Sequence, residues 1–294
     1  MNRRLFWDRF FEKAFSGSAW ISVLTLVGIF LMLAINSAQV FKTISFAAFF
    51  SNEAWNPAAF GQATYGIGAM LVSTFLVTLG AMLIAVPLGI GTAAFLSEIA
   101  SPRVRNLLKP AIELLAAVPS VVIGFMGIVL VAPGLAKAFD LPHGLNALNG
   151  AILLAVMALP TLISVTEDAI HAVPKHYKEA SYALGANRWE TLWRVTLPSC
   201  TSGILVAVML GMGRALGETM TVLMATGNAT EMPQGIFDSV RTITATVAIE
   251  MGEVPFGTPH YFSLFACALV LFMITLLVNL AAERLAAGYR KKGQ

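Results

Sequence analysis

Two ionisable residues of opposite sign stand four positions apart inside an apolar run: Arg214 and Glu218, in "GRALGETM", Gly213–Met220. The flanking "ILVAVML" and "TVLMATG" carry no charge. A charged side chain at the centre of a membrane helix costs roughly 2.5–3.5 kcal/mol, so the pair needs a reason to be there. On a continuous helix, positions 214 and 218 share a face and the two groups can neutralise each other. Thr221 continues that face and Thr219 lies to its side. One reading is a structural salt bridge that locks two helices. The other is a pathway in which Arg214 meets an anion while Glu218 holds and orients it between passages. Ionisable groups inside a membrane default to function, and the guanidinium fork suits an oxyanion. A pathway Arg must also release what it binds, which a competing carboxylate favours. The negative charge of Glu218 further favours an anion that can donate a proton, such as hydrogen phosphate, over sulfate.

A second cluster lies in "EDAIHAVPKHYKEASYALGANRWETLWRVTLP", Glu167–Pro198. It is too polar for the membrane and too rich in helix formers for a disordered linker. Lys175 to Gly185 reads as a helix closed by a glycine cap, and "RWETLWRVTL" begins a second helix that Pro198 interrupts. Tyr177, Ala180, Ala183, Leu184, Trp189, Leu192 and Trp193 are too many apolar positions for a solvated loop. They predict docking against a partner.

The rest of the chain must position these groups. Of 294 residues, 57% are hydrophobic and only 12% charged, against about a quarter in a soluble domain. Mean hydropathy is +0.76. The expected architecture is an all-α, polytopic membrane helical bundle of six spans. They lie at about Ala19–Val40, Gly66–Leu96, Ala111–Ala132, Ala151–Val165 (short, and expected to extend at both ends), Thr201–Ala225 and Tyr261–Ala282. The first reads as an uncleaved anchor, since no small-x-small cleavage site follows it.

Lys and Arg concentrate before the first span and in alternate loops: Arg103, Arg105 and Lys109; Lys175, Lys178, Arg188 and Arg194; and, after the last span, Arg284, Arg290, Lys291 and Lys292. The positive-inside rule then places both termini in the cytoplasm. Small residues at four-residue spacing (Ala81, Ala85, Gly89; Gly203, Ala207, Gly211, Ala215) predict that the second and fifth helices pack inside the bundle. Segment Ser45–Gly66 suits a membrane interface, and Gly227–Tyr261 holds a short interfacial or re-entrant helix at about Ile236–Met251. Pro119 is expected to kink or open the third helix, with Ser120 a minor pathway contact. Glu113 is expected to pair with Lys109, and Glu167 and Asp168 to solvate the end of the fourth span.

Some chemistry is not encoded. Cys200 and Cys267 read as buried small hydrophobes. His143, His171, His176 and His260 have no metal-ligand spacing and read as surface or interfacial residues. No catalytic triad or supported carboxylate pair occurs, and nothing points to nucleic acid. No G-x-x-x-x-G-K-[ST] loop occurs either, so any ATP hydrolysis belongs to another polypeptide.

"EASYALGANRWETLWRVTLP", Glu179–Pro198, resembles the EAA loop of ABC-importer permeases, with Glu179, Ala180 and Ser181, then Gly185, then Val195, Leu197 and Pro198 at the family's spacing. Ser181 and Val195 are conservative departures. The resemblance implies coupling helices seated in an ATPase groove, with Gly185 making the turn and Glu179, Ala180, Leu184, Gly185, Trp189 and Pro198 as docking residues. "LLAAVPSVVIGF" (Leu114–Phe125), "RALGETMTV" (Arg214–Val222) and "HYFSLFACALVLFMITLLVN" (His260–Asn279) are similar to the PstC permeases of bacterial phosphate importers. The sister PstA permeases share a related Arg-x-x-Gly-Glu-Thr run and stand as an alternative, as does a permease for another oxyanion or small polar solute.

This resemblance implies a type I ABC-importer permease fold (MetI-like) and a multi-pass place in the bacterial inner membrane. It implies a pathway of Arg214, Glu218, Thr219, Thr221 and Ser120 for inorganic phosphate. It also implies a heterodimer with a PstA-type permease, an ATPase dimer below and a periplasmic phosphate-binding protein above. ATP and Mg would sit on the ATPase, with no cofactor on this chain. The expected organisation is a cytoplasmic segment 1–18, a first helix with its periplasmic segment 19–65, a permease domain 66–285 containing the loop 167–198, and a basic tail 286–294.

Overall fold

The computed structural model describes residues 2–59 and 62–292, with side chains described for 10–59 and 62–288. Phe60 and Gly61 of the interfacial segment, and the basic side chains of the expected tail, lie outside the described set. In chain order the helices are α1 (Asn2–Val40), α2 (Phe46–Phe49), α3 (Gly68–Ala94), α4 (Pro102–Ala116), α5 (Ser120–Met126), α6 (Ala132–Phe139), α7 (Ala147–His171), α8 (Lys175–Ala183), α9 (Arg188–Thr191), α10 (Leu197–Ser199), α11 (Thr201–Gly217), α12 (Met220–Ala225), α13 (Ile243–Glu250) and α14 (Pro259–Lys292). A two-residue antiparallel pair, β1 (Trp55–Asn56) with β2 (Thr64–Tyr65), closes one end.

Among the described residues, five helical stretches are long and apolar enough to cross a membrane. A sixth span arises if Arg188–Ser199 and Thr201–Gly217, bent by 72°, are counted as one. The number of spans therefore agrees with the hydropathy pattern, but two boundaries move for physical reasons. The run expected as one span at Ala111–Ala132 is divided. Its first part belongs to α4, which starts with Pro102 in the first turn and ends just before Val118-Pro119. The span runs from Ser120 to Phe139 through a π-helical turn at Gly127–Val131. The bend expected at Pro198 falls at Cys200 instead. The fourth span extends at both ends, as α7, and the short helix expected near Ile236–Met251 is the tighter α13.

α7 is the bundle's centre. It packs against α3 along most of its length and against α11 on another side, and α3 and α11 also meet. Small residues permit this approach. A Cβ placed on Gly89 would sit 2.9 Å from Leu162 Cβ, and one on Gly203 2.4 Å from Ala169 Cβ. Without a hydrophobic effect in lipid, such close backbone packing supplies the cohesion. Val77, Ala81, Ala85, Leu154, Ala158, Leu162, Ala207 and Ala215 form the buried seam between the three helices.

Most basic loop residues gather at one end of the bundle with α4 and α8–α10, called the basic end below. At the opposite end Glu250 Oε1 receives Arg241 Nη1 at 2.8 Å, and Glu250 Oε2 receives Trp55 Nε1 and His260 Nε2, each at 2.8 Å. That network ties four segments together, so His260 is a bonded part of the far cap rather than a loose interfacial residue.

Candidate functional site

The run containing Arg214 and Glu218 is a helix that stops between them. α11 ends at Gly217, Glu218 is extended (φ −71, ψ 129), and α12 resumes at Met220. The i,i+4 pair expected of a continuous helix is therefore not formed. Among the described residues no ion pair includes Arg214 or Glu218. No proline marks the break. Gly217 is the one local hint, and it costs less than other residues in leaving a helix.

A break in a membrane helix frees carbonyls that must find donors. Thr244 Oγ1, on α13, donates to the Glu218 carbonyl at 3.0 Å, and Thr219 Oγ1 to the Gly217 carbonyl at 3.4 Å. The Glu218 carboxylate faces Thr221, whose backbone N and Oγ1 both lie 3.4 Å from Oε1. Thr221 is fully buried, and its hydroxyl also reaches the Ser120 carbonyl at 3.1 Å and the Met157 sulfur at 3.1 Å. Arg214 is exposed, and its Nη1 reaches Thr161 Oγ1 on α7 at 3.4 Å. The structure thus joins Ser120, Glu218 and Thr221 around one break. Ser120 contributes its carbonyl there, at the first turn of α5. Arg214 stands one turn away with no acidic partner. Thr161, Thr244 and Met157 belong to this neighbourhood and were missed from sequence, since single hydroxyls and a thioether in apolar helices carry no signal of their own.

The predicted helix-turn-helix at the basic end is present. α8 closes on Leu184, and Gly185 adopts φ +85. The Gly185 N–H reaches the Tyr182 carbonyl at 2.9 Å and the Ala186 N–H the Ser181 carbonyl at 3.2 Å, the double bond of a Schellman cap. Asn187 and Glu190 then form a reciprocal capping box, each bond 2.9 Å. Ser181 Oγ lies 2.9 Å from Thr191 Oγ1, and Lys178 pairs with Glu98 in the π-helical turn Phe95–Ile99 that follows α3. The loop is thereby fixed in shape, yet Leu184 is 90% exposed, Trp189 59% and Trp193 55%. Glu179, Ala180 and Pro198 are also exposed. A rigid element that spends three large apolar side chains on solvent has the composition of an interface.

Two expectations about charge are corrected nearby. Glu167 does not solvate the end of α7; it is 1% exposed, with Oε1 2.7 Å from Arg105 Nη2 and Oε2 3.2 Å from Lys109 Nζ. Lys109 therefore pairs across to α7 rather than with Glu113 on its own helix. His171 joins the cluster. Its Nδ1 meets the Glu167 carbonyl at 2.8 Å and its Nε2 meets Arg105 Nη2 at 2.9 Å. A carbonyl only accepts and a guanidinium only donates, so a hydrogen on Nδ1 and a lone pair on Nε2 suit both contacts.

Residues 85–291 match the family described as binding-protein-dependent transport system inner membrane component. The chain is 36% identical over 271 residues to the probable ABC transporter permease protein YqgH of Bacillus subtilis, covering 92% of this chain and 87% of that protein. It is 36% identical over 290 residues to the phosphate transport system permease protein PstC of Mesorhizobium japonicum, with the same two coverages. Among solved structures, the fold matches a bacterial ABC transporter for alginate import (TM-score 0.62, 17% identity, 92% of this chain and 94% of that one). It also matches the inward-facing MetNI methionine transporter (TM-score 0.61, 15% identity, 76% and 95%). The extent of these matches, over a bundle with a broken polar span and a rigid exposed loop, makes this chain a member of the inner-membrane permease components of binding-protein-dependent ABC importers, a multi-pass transporter subunit rather than an enzyme.

Proposed function

We propose that this permease forms half of the translocation pathway of an ATP-driven phosphate importer, with its basic end in the cytoplasm. The observation that carries the reading is Arg214: a guanidinium within a spanning helix, exposed on the single chain and, among the described residues, without an acidic partner. Such a group needs an anion, and its exposed face needs a second permease to enclose it. The relative named as PstC supports phosphate, and Glu218 at the adjacent break supports a protonated oxyanion over a fully ionised one. A PstA-type permease is the partner that completes the pathway. Thr219 and Thr221 keep the Glu218 break in shape, with the Ser120 carbonyl as the far anchor.

The exposed loop 167–198 docks the ATPase, with Leu184 and Trp189 as its apolar anchors and Glu179 on its polar rim. Closure of the ATPase dimer on ATP and Mg moves this loop and turns the pathway outward. A periplasmic phosphate-binding protein delivers the ion at the far cap. A permease for another oxyanion is the second reading, supported by the B. subtilis relative, whose name specifies no substrate.

Phosphate uptake into cells lacking their own importer tests both readings. The chain, its partner permease, ATPase and binding protein are supplied together, and assembly is checked by co-purification. Uptake that sulfate does not compete for, and that Arg214→Gln abolishes in an assembled complex, is expected. Normal uptake by that variant would reduce Arg214 to a structural role.

A further inference from the structure

We infer that Glu167 is a positioning residue that transmits movement of the 167–198 loop to the pathway, using α4 as the lever. The inference rests on the transport reading above and deepens it.

Glu167 stands near the end of α7, which closes at His171 just before Pro174 leads into α8. Whatever moves the loop moves this end of α7. Both carboxylate oxygens are taken, one by Arg105 and the other by Lys109, residues one turn apart on α4. Two anchor points a turn apart fix the rotation of α4 as well as its position. The same face places Ile112 against the buried cluster of Ile163, Ile170 and Leu192, while Leu107 and Leu114 on the other side are 73% and 69% exposed. α4 is therefore an amphipathic helix held to the bundle along one edge by this charge cluster.

The far end of α4 is the site. From Arg105 the helix runs about 17 Å to Ala116 at 1.5 Å per residue. The chain then crosses Pro119 to Ser120, whose carbonyl accepts the Thr221 hydroxyl that also faces Glu218. A displacement at Glu167 arrives at the break in α11–α12 through α4, which carries Pro110 in its interior, the short Ala117–Pro119 connection and one hydrogen bond. Stability alone does not call for this arrangement, since a buried ion pair is commonly replaceable by apolar residues of similar volume without loss. What the pair adds is a fixed register between two helices.

The asymmetry of burial makes the idea testable. The carboxylate is buried, while the Arg105 and Lys109 side chains are 35% and 39% exposed. Glu167→Gln leaves two cations that water can solvate, so the chain should still fold and assemble. The experiment uses the complete complex in proteoliposomes with its binding protein and radiolabelled inorganic phosphate, and measures ATP hydrolysed per phosphate imported. Glu167→Gln is expected to keep hydrolysis and raise that ratio roughly tenfold, within the range of couplings between distant sites. Lys109→Gln, which leaves the Arg105 bond, should raise it less, and serves if Glu167→Gln does not assemble. Arg105→Gln/Lys109→Gln/Glu167→Gln should be no worse coupled than Glu167→Gln alone, because the three act as one unit. An unchanged ratio, whether both activities stay normal or fall together, overturns the inference. A wild-type complex that imports no phosphate instead overturns the transport reading on which it rests.

Discussion

Two sets of charges, one joining α4 to the end of α7 and one at the α11–α12 break, are treated in opposite ways. At the basic end, Glu167 is buried and every oxygen of its carboxylate is matched by a cation. At the α11–α12 break, Arg214 has one long bond to a threonine, and Glu218 has two long bonds to Thr221. Full pairing holds a charge in one geometry and leaves it nothing to bind. Sparse pairing leaves a charge expensive until something else arrives. On the reading proposed above, the first pattern belongs to a joint and the second to a pathway, and the energetics of substitution should separate them.

The largest effect is expected at the sparse site. Arg214→Gln should lower phosphate uptake by on the order of 100-fold, the scale for removing one partner of a desolvated charged contact. The melting temperature of the purified complex should stay near wild type, because the native state makes little of this side chain. A matching fall in thermal stability would place Arg214 with the joint instead.

The joint should show the converse, and with a sign that depends on which partner is removed. Arg105→Gln/Lys109→Gln leaves a buried carboxylate unpaired and should destabilise the chain by about 3 kcal/mol. Adding Glu167→Gln removes the stranded charge and should recover most of that loss. Denaturation of the wild type, the double variant and the triple variant in detergent checks the order. If the triple variant is the least stable of them, the burial asymmetry has been misjudged.

The exposed loop sits between these extremes, being rigid inside and unpartnered outside. Trp189→Ala should weaken ATPase binding by about 2 kcal/mol, roughly 30-fold, as for an aromatic anchor at an interface. Because Trp189 faces solvent and meets Trp193 edge-on, the isolated permease should lose little stability beyond that ring contact. Titration of the ATPase onto immobilised permease measures this, and an unaltered affinity would move the contact elsewhere on the loop.

Much of this plan is legible in the amino-acid order, and the reason is physical. Spans follow from hydropathy because lipid demands it over twenty residues at a time. The loop follows from local chemistry, since Gly185 at φ +85 and the Asn187–Glu190 box are formed by neighbours in the chain. The failures share another cause. Glu167 finds Arg105 across 62 positions, and no window along the sequence contains both. The α4–α5 boundary is half legible: Pro119 marks the opening, but Glu113 is the one charge in Ala111–Ala132, so hydropathy does not separate the part on α4 from the part that crosses the bundle. The break at Glu218 hides because the donor to its carbonyl, Thr244, comes from a separate helix. A helical pattern can be read locally, but the partner that permits its interruption cannot.

That last dependence gives the smallest and most specific expectation. Thr244 Oγ1 donates to the Glu218 carbonyl and lies 2.9 Å from Thr242 Oγ1, which caps α13 by accepting from the Ala245 N–H. A hydroxyl has one proton; Thr244 spends its own on Glu218, so Thr242 must donate to Thr244. Thr244→Val keeps the shape and removes both roles, leaving one freed carbonyl without a donor at a cost of about 1 kcal/mol. If the break is what presents Arg214 and Glu218 to the ion, that loss should appear as roughly a fivefold fall in uptake with ATPase co-purification intact. Thr244→Ser, which keeps the donor, should restore it. Equal behaviour of the Val and Ser variants would mean that packing alone holds the break open.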